Sequence, residues 1–197
     1  PVIRGFDYGL FVDVPDGMFL LNTGRLRDQW HTMTRTGQVA ALSAHDELPF
    51  VDMHPTDAKE LGLSQHQFVQ VQNQYGRFVG RLNVVESVQP KQLFAPIHWN
   101  QKFAQHAVVS NVVAPVVDAV SGQPQSKAAV VSVQPFECRQ WARIVTTVPL
   151  QSADWVYWAQ TRTANGFVTL VGMDQEIDWQ AWLRSRVEAP LFVKHYQ

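Results

Sequence analysis

Short apolar runs separated by turn residues dominate the first 135 positions of the chain. Residues 18–21 are apolar and are followed by the letters NTGR, a pattern that predicts a strand leading into a turn. Residues 67–73 and 77–85 are β-rich runs joined around Tyr75-Gly76, which predicts a hairpin. Further strands are predicted at residues 50–53, 93–97 and 128–133.

A single well-punctuated helix is predicted in the same region, over residues 54–62. Pro55 takes a first-turn position, Asp57 places an acidic side chain early, and Gly62 supplies a stop. With one short helix among several strands, residues 1–135 are predicted to form a compact β-barrel or sandwich.

The pattern changes after residue 135, where strands are predicted at residues 141–148, 155–160 and 167–171. Residues 174–186 then have the apolar spacing of an amphipathic helix. Because five of the seven tryptophans lie beyond residue 140, we predict that residues 136–197 are a C-terminal β/α extension packed on the first domain.

The composition restricts the class of protein. With 46% hydrophobic and 17% charged residues, the chain resembles neither a disordered protein nor a membrane protein. No apolar run approaches the roughly 20 residues that a spanning helix needs. The net charge of −1 argues against a general nucleic-acid binder. We therefore expect no membrane partner and no nucleic-acid partner, and any recognition of anions must be local.

Candidate reactive residues are few. Cys138 is the single cysteine, which excludes an internal disulfide framework and fits a reducing, cytoplasmic compartment. The histidines lack metal-ligand spacing, and no nucleophile elbow is present, so neither a metal site nor a catalytic residue is predicted within this chain. The chain opens with Pro1 and shows no leader pattern, so we expect a piece of a longer polypeptide.

The densest polar cluster is TGRLRDQWHTMTRT, residues 23–36, which lacks both helical and strand periodicity. It holds three arginines, one histidine and four threonines, the donors that a pyrophosphate requires. Gly24 would allow close backbone approach, Trp30 could stack on a flat heterocycle, and Asp28 could accept from a guanine edge. A solvated surface loop with incidental arginines explains the composition equally well.

Three further polar residues stand out, each with a structural alternative. His98 follows a predicted strand and could line a pocket, although a histidine that caps a turn beside Trp99 is the more common case. Asn111 lies among valines and needs partners from the backbone or from a ligand. Lys127 could reach a phosphate, although a single lysine is more often only solvated.

The order of these motifs resembles a known family. LNTGRLRDQWHTMTRTG, PFVDMHPTDAKELGL, a hairpin, LFAPIHW, SNVV and DAVSGQPQSK follow one another as in the terminal domain of the dimethyl-sulfoxide-reductase superfamily, over roughly residues 18–133. The wording TGRLRDQWHTMTRTG most resembles bacterial assimilatory nitrate reductases. The resemblance implies a six-stranded double-psi β-barrel that binds molybdopterin guanine dinucleotide.

The resemblance also implies which positions contact the cofactor. Asp57 and Ala58 belong to the shared motif but look structural. Asp118-Ala119 departs from the Asp-Pro that relatives often have, and the spacing from Asn111 to Asp118 differs between branches, which makes Asn111 the less secure assignment. The implied cofactor-binding residues are Thr23, Gly24, Arg25, Arg27, Asp28, Gln29, Trp30, His31, Thr32, Arg35, His98, Asn111 and Lys127.

The resemblance implies an enzyme of nitrate assimilation that reduces nitrate to nitrite by oxygen-atom transfer at molybdenum held by two guanine dinucleotides. The molybdenum ligand and an iron–sulfur cluster are expected in upstream domains of the same polypeptide, so this chain alone is not catalytic; no electron donor is assigned. Rival interpretations are the same domain of a formate dehydrogenase or other superfamily oxidoreductase, a barrel that binds peptides or proteins, and an inert structural domain.

Overall fold

A closed six-stranded barrel forms the first part of the protein in the computed structural model, which describes residues 13–151, 154–186 and 192–196. Around the barrel the order is β1-β5-β2-β4-β3-β6. The strands are β1 Phe19–Gly24, β2 Phe50–Met53, β3 Phe68–Asn73, β4 Gly76–Val84, β5 Gln92–Pro96 and β6 Ala129–Pro135.

Two parallel pairs define the barrel's topology. β1 pairs in parallel with β5, and β2 pairs in parallel with β4, whereas the remaining neighbours are antiparallel. The prediction of a mainly β, six-stranded barrel with short helices is confirmed. β1 is longer than predicted, because Thr23 and Gly24 continue the strand opposite Ala95 and Pro96 instead of turning.

The barrel interior follows from the alternation of side chains along each strand. In β1, Phe19, Leu21 and Thr23 point inward and are almost fully buried, while Asn22 is exposed. Burying each large apolar side chain stabilises the fold by roughly 1.5–3 kcal/mol. The other members of this core are mostly valines and leucines from the remaining five strands, and Ala58, Leu63, Val109 and Val112 join them from outside the strands.

The predicted first helix is present as α1, Pro55–Glu60. His54 caps it, because its Nδ1 accepts from the backbone N–H of Thr56 at 3.2 Å. Asp57 is buried and its Oδ2 accepts from the backbone N–H of Lys91 at 2.7 Å, which ties the helix to the start of β5. The structural role expected of Asp57 is therefore confirmed. Three short 3₁₀ turns complete this part, at Thr36–Gln38, Ala40–Ser43 and Val109–Val112.

A four-stranded antiparallel sheet, ordered β10-β7-β9-β8, follows the barrel. Its apolar core is rich in tryptophan and includes Trp155 and Trp179. The helix predicted from residue 174 begins only at Trp179, because the Asp178 carboxylate caps the backbone N–H groups of the next turn. The elements are β7 Gln140–Thr146, β8 Tyr157–Thr163, β9 Gly166–Met173, α2 Trp179–Arg186 and β10 Phe192–Tyr196, of which β10 was not predicted.

The outer edge of β8 joins this sheet to the barrel. The backbone N–H of Gln105 donates to Trp158 O and that of Gln160 donates to Phe103 O, both at 2.8 Å. Ala104 and Ala159 face each other in the bridge between these bonds. Within the described ranges, no helix has both the length and the apolar character needed to cross a membrane.

Candidate functional site

Most of the predicted site residues gather at one end of the barrel. Because β1 and β5 are parallel, their carboxyl ends meet there, with Gly24 opposite Pro96. β6 runs the other way and begins at the same end, which brings Lys127 next to β1. Lys127 Nζ donates to Thr23 O, and Thr23 Oγ1 donates to Ser126 O at 2.7 Å. The β1 loop, defined here as residues 25–36, leaves β1 at this end.

His98 fixes the shape of the β1 loop from beneath. Its ring is fully buried; Nε2 accepts from the backbone N–H of Leu26 at 2.8 Å, and Nδ1 lies 2.6 Å from His31 O. Because Leu26 N–H can only donate, Nε2 carries no proton, and the neutral ring must hold its proton on Nδ1. His98 therefore contacts the backbone at Leu26 and at His31 and holds the turn between them.

Burial lowers the pKa of His98 below its ordinary value. The hydrogen bond to His31 O opposes this shift, whereas the charge of Arg25 and that of a protonated His31 reinforce it. The neutral tautomer that the hydrogen bonds require is thus also the form that the surroundings favour.

Gln29 and Asn100 hold the rest of the loop. Gln29 is buried, and its amide donates to Leu42 O at 2.9 Å while accepting from the Thr36 hydroxyl at 2.7 Å. Asn100 Nδ2 donates to Thr32 O at 2.7 Å. These bonds stabilise a backbone in which two non-glycine residues, His31 and Met33, have φ values of 44° and 58°. Such conformations cost on the order of 1 kcal/mol each and persist only where the surroundings enforce them.

Arg27 and Asp28 form an ion pair within the loop. Both guanidinium contacts to the carboxylate measure 2.8 Å, and His45 Nδ1 lies 2.6 Å from Asp28 Oδ2. The hydrogen bond from Arg27 is the main reason that the pKa of Asp28 lies below its usual value. Asp28 is therefore a carboxylate, with its oxygens already engaged by two cationic side chains when His45 is protonated.

The outward side of the loop presents the groups that a ligand could meet. Trp30 is 59% exposed, with the Arg25 guanidinium 5.3 Å from its ring centre and the His31 ring edge-on at 4.5 Å. Arg35 and Lys127 are exposed as well, as is Thr32. A flat aromatic surface flanked by cations suits a ligand that carries both a heterocycle and phosphates.

Asn111 lies at the same end of the barrel, in the Val109–Val112 turn, and contacts the β3–β4 hairpin. Its Nδ2 donates weakly to Arg77 O at 3.3 Å. The backbone O of Asn111 also approaches Gly76 so closely that a Cβ there would lie 2.7 Å away. A packing role thus accounts for both described contacts, and cofactor binding by Asn111 remains a prediction.

Sequence reasoning found the loop but missed part of what holds it. Asn100 and His45 each bond to a residue of the β1 loop and were not among the predicted site residues. Their partners depend on the fold, since Asn100 is 68 residues from Thr32. The only sequence signal was the position of Asn100, two residues after His98.

Neither a metal centre nor a reactive thiol occurs in the part of the chain that the structure describes. No group of three or more His, Cys, Asp or Glu side chains lies close enough together to hold a metal ion among the described residues. Burial, with a smaller effect from the charge of Asp174, raises the pKa of the Cys138 thiol to about 12. Cys138 is therefore protonated at neutral pH and unsuited to nucleophilic work.

Fold and site together define a barrel domain that displays cationic and aromatic groups at one end. Residues 19–130 match the molydopterin dinucleotide binding domain. The chain belongs to this family, and the family's ligand is a molybdopterin dinucleotide. The cationic and aromatic donor set of the β1 loop fits that ligand.

Similar proteins extend this assignment. A nitrate reductase of Klebsiella oxytoca is 35% identical over 81% of this chain and 19% of the relative. The α subunit of an F420-dependent formate dehydrogenase of Methanocaldococcus jannaschii is 26% identical over 65% of this chain and 19% of the relative. The acetylene hydratase of Pelobacter acetylenicus has the same fold over 60% of this chain and 18% of its own, with a TM-score of 0.53 and 16% identity. The chain thus spans about a fifth of the length of its curated relatives.

Proposed function

We propose that this chain is the cofactor-binding domain of a molybdenum nitrate reductase, which holds molybdopterin guanine dinucleotide through the β1 loop. The observation that carries the proposal is the loop itself, which His98 holds from beneath and which presents Trp30 with Arg25 on its outer side. The family match supports the dinucleotide, and the 35% identity to a nitrate reductase supports the substrate.

Each exposed group has a role that its chemistry suggests. Arg25, Arg35 and Lys127 would neutralise the pyrophosphate, because charge-assisted hydrogen bonds to phosphate are the strongest available here. Trp30 would stack on one of the ring systems, and the Thr32 hydroxyl would donate to an oxygen. All of these groups lie at one end of the barrel.

Selectivity for guanine is proposed for Asp28. A carboxylate can accept two hydrogen bonds from the guanine edge, and an aspartate is ionised at neutral pH even without the Arg27 contact. Guanine would then displace or share the Arg27 contacts, which lie on an exposed side chain and cost little to rearrange.

The bound metal and pterin supply two-electron oxygen-atom transfer, and this chain supplies binding and orientation. The buried residues Thr23, Gln29 and His98 would keep the loop in one conformation, so that little ordering entropy is lost when the ligand binds. The bis form of the cofactor, the iron–sulfur cluster, the upstream domains and a cytoplasmic location belong to the same proposal.

A formate dehydrogenase is the second candidate, because a relative of that name matches 65% of the chain. The β1 loop would serve either enzyme equally well, since it recognises the cofactor and not the substrate. Sequence identity favours nitrate as the substrate, because the chain is 35% identical to the nitrate reductase and 26% identical to the formate dehydrogenase subunit. A barrel that binds peptides would not need this combination of cations around Trp30.

The deciding experiment measures molybdenum, pterin and guanine content of the full-length protein, together with nitrate reduction by a reduced viologen dye and formate oxidation. Cofactor with nitrate turnover supports the whole proposal. Cofactor with formate turnover would support the role of the domain and would change the proposed substrate to formate. A protein without pterin would contradict the proposal.

Variants at the loop test the residues. We expect Arg25→Ala to lower cofactor content while leaving the free energy of unfolding within about 0.5 kcal/mol of wild type, because its side chain is exposed. Lys127→Ala should also lower cofactor content, with a loss of about 1 kcal/mol in the free energy of unfolding, because it removes the hydrogen bond from Lys127 Nζ to Thr23 O. Arg162→Ala is the matched control, since Arg162 is an exposed arginine that lies over Phe167 in the second sheet. Equal cofactor content in all three variants would remove Arg25 and Lys127 from the site.

A further inference from the structure

A short stretch of chain separates the β1 loop from the second sheet. We name residues 99–105 the bridging segment. On its loop side, Asn100 donates to Thr32 O at 2.7 Å. The Phe103 ring lies so close to Gly37 that a Cβ at this position would come within 2.7 Å of it. Gly37 in turn donates its backbone N–H to Met33 O at 2.9 Å, so Gly37 connects Phe103 to the β1 loop.

On its other side, the bridging segment is paired with β8. Phe103 O and the backbone N–H of Gln105 take part in the two hydrogen bonds to this strand, each 2.8 Å long. Between those bonds, Ala104 and Ala159 are both buried and face each other. The two side chains of such a pair project from the same face of the sheet, so both methyl groups enter one apolar core.

One apolar core joins the β1 loop, the bridging segment and β8. Met33 of the loop, Trp99 and Ala104 of the bridging segment, and Tyr157 and Ala159 of β8 belong to the same buried cluster. The tryptophan-rich core on the other side of the sheet is a separate cluster. The second sheet thus has one core of its own and one that it shares with the β1 loop.

From this arrangement we propose that the C-terminal sheet positions the β1 loop for dinucleotide binding, with Ala159 and Phe103 as positioning residues that act through the bridging segment. The inference rests on the proposed function for its ligand. The loop lacks regular secondary structure, so its conformation depends on the surfaces packed against it. His98 supports the loop from the barrel, and β8 supports it from behind.

A matched pair of substitutions tests the proposal in the full-length protein. Ala159→Leu inserts bulk beside Ala104, in the core that β8 shares with the bridging segment and Met33 of the β1 loop. Ala142→Leu inserts the same bulk at a fully buried alanine of the same sheet, but in the tryptophan-rich core. Both destabilise the sheet by overpacking, whereas only the first change lies next to the support of the loop.

The measurements are hydrogen exchange of peptides that cover residues 25–37, pterin content, and the free energy of unfolding. For Ala159→Leu we expect loop exchange faster by about tenfold or more, with loss of pterin, because local opening of the loop becomes easier. Ala142→Leu should leave loop exchange and pterin content near wild type. Equal loop exchange in the two variants, at similar stability, would overturn the proposal.

A milder pair, Ala159→Val and Ala142→Val, applies if either leucine variant fails to fold. Loop exchange does not depend on the identity of the ligand. A wild-type protein without pterin would therefore contradict the proposed function, while the exchange comparison would still decide whether the second sheet positions the loop.

Discussion

Two loops lie at the end of the barrel where β1 and β5 terminate, and they are held in different ways. The β1 loop is anchored by residues far away in the chain, with His98 72 positions from Leu26 and Asn100 68 positions from Thr32. The Lys127 loop, residues 113–128, is bonded to Thr23 of β1 at its end, through Ser126 and Lys127, and before that point it is held mainly by its own residues. Asp118 Oδ1 accepts from the backbone N–H groups of Val120 and Ser121 and from the Ser121 hydroxyl.

Exposure follows the same division. The β1 loop buries Gln29 and Met33 beneath its surface, whereas the Lys127 loop leaves Val116 51%, Val117 58% and Val120 82% exposed. Opening of the β1 loop would break its long-range contacts, so the loop is stabilised together with the barrel. The local bonds within residues 113–125 do not involve the barrel, so this part of the second loop can open on its own. We infer that the β1 loop sets the geometry of the site, while the Lys127 loop adapts to what binds there.

The largest expected effect is that of His98→Ala. Removing the ring leaves Leu26 N–H and His31 O without their buried partner and opens a cavity, so we expect a loss of about 3 kcal/mol in the free energy of unfolding. Denaturant unfolding checks the loss, and hydrogen exchange shows whether residues 25–36 open first. His98→Gln keeps one donor and one acceptor and should recover part of the stability. A stable alanine variant with a protected loop would mean that the histidine is not the anchor.

A second, smaller effect concerns pH. The pKa of His98 is lowered in the folded protein, so the neutral ring is favoured by folding. Its contribution to stability is fully present above the unfolded pKa of about 6.5 and is lost as pH falls from there toward the lower folded value. Protonation would also place an Nε2–H against Leu26 N–H. Unfolding at several pH values should therefore give a shallower acid slope for His98→Gln than for wild type.

The pH experiment needs a control for His106, because burial and the charge of Arg77 lower the pKa of this histidine as well. His106→Gln should remove a separate part of the acid slope without changing exchange in the β1 loop. If His98→Gln and wild type have the same slope, the ring of His98 does not titrate in this range.

The smallest expected effect is that of Asp118→Ala. It removes three local hydrogen bonds from the Lys127 loop, so exchange and proteolysis should rise within residues 113–128 alone. The free energy of unfolding should barely change, because no barrel residue loses a partner. Val120→Ser, at a side chain that is 82% exposed, serves as the reference with no expected effect. A large global loss for Asp118→Ala would remove the distinction between the two loops.

Much of the barrel could be predicted from local pattern. The β3–β4 hairpin, α1 with Pro55 in its first turn, and the strands of the second sheet other than β10 all lie close to their predicted positions. The helix α2 starts later than its apolar spacing predicts, because Asp178 caps it. These features depend on neighbours within a few residues, which is the range over which a pattern can be read.

The roles of individual site residues were less predictable. The sequence singled out residues 23–36 by their composition alone, and it also singled out His98. It could not show that Thr23, Gln29 and His98 face inward while Trp30 and Arg25 face solvent. A loop without periodicity carries no signal of which side is buried.

By itself, then, the amino-acid sequence determined the strands, the short helix, the polar loop and, through the order of its motifs, the family and its ligand. Tertiary structure alone decided that β1 and β5 run side by side, that His98 meets Leu26 and His31, and that β8 backs the loop through residues 99–105. Local patterns reflect steric and solvation preferences of neighbouring residues, whereas these contacts exist only once a closed barrel has brought distant segments together.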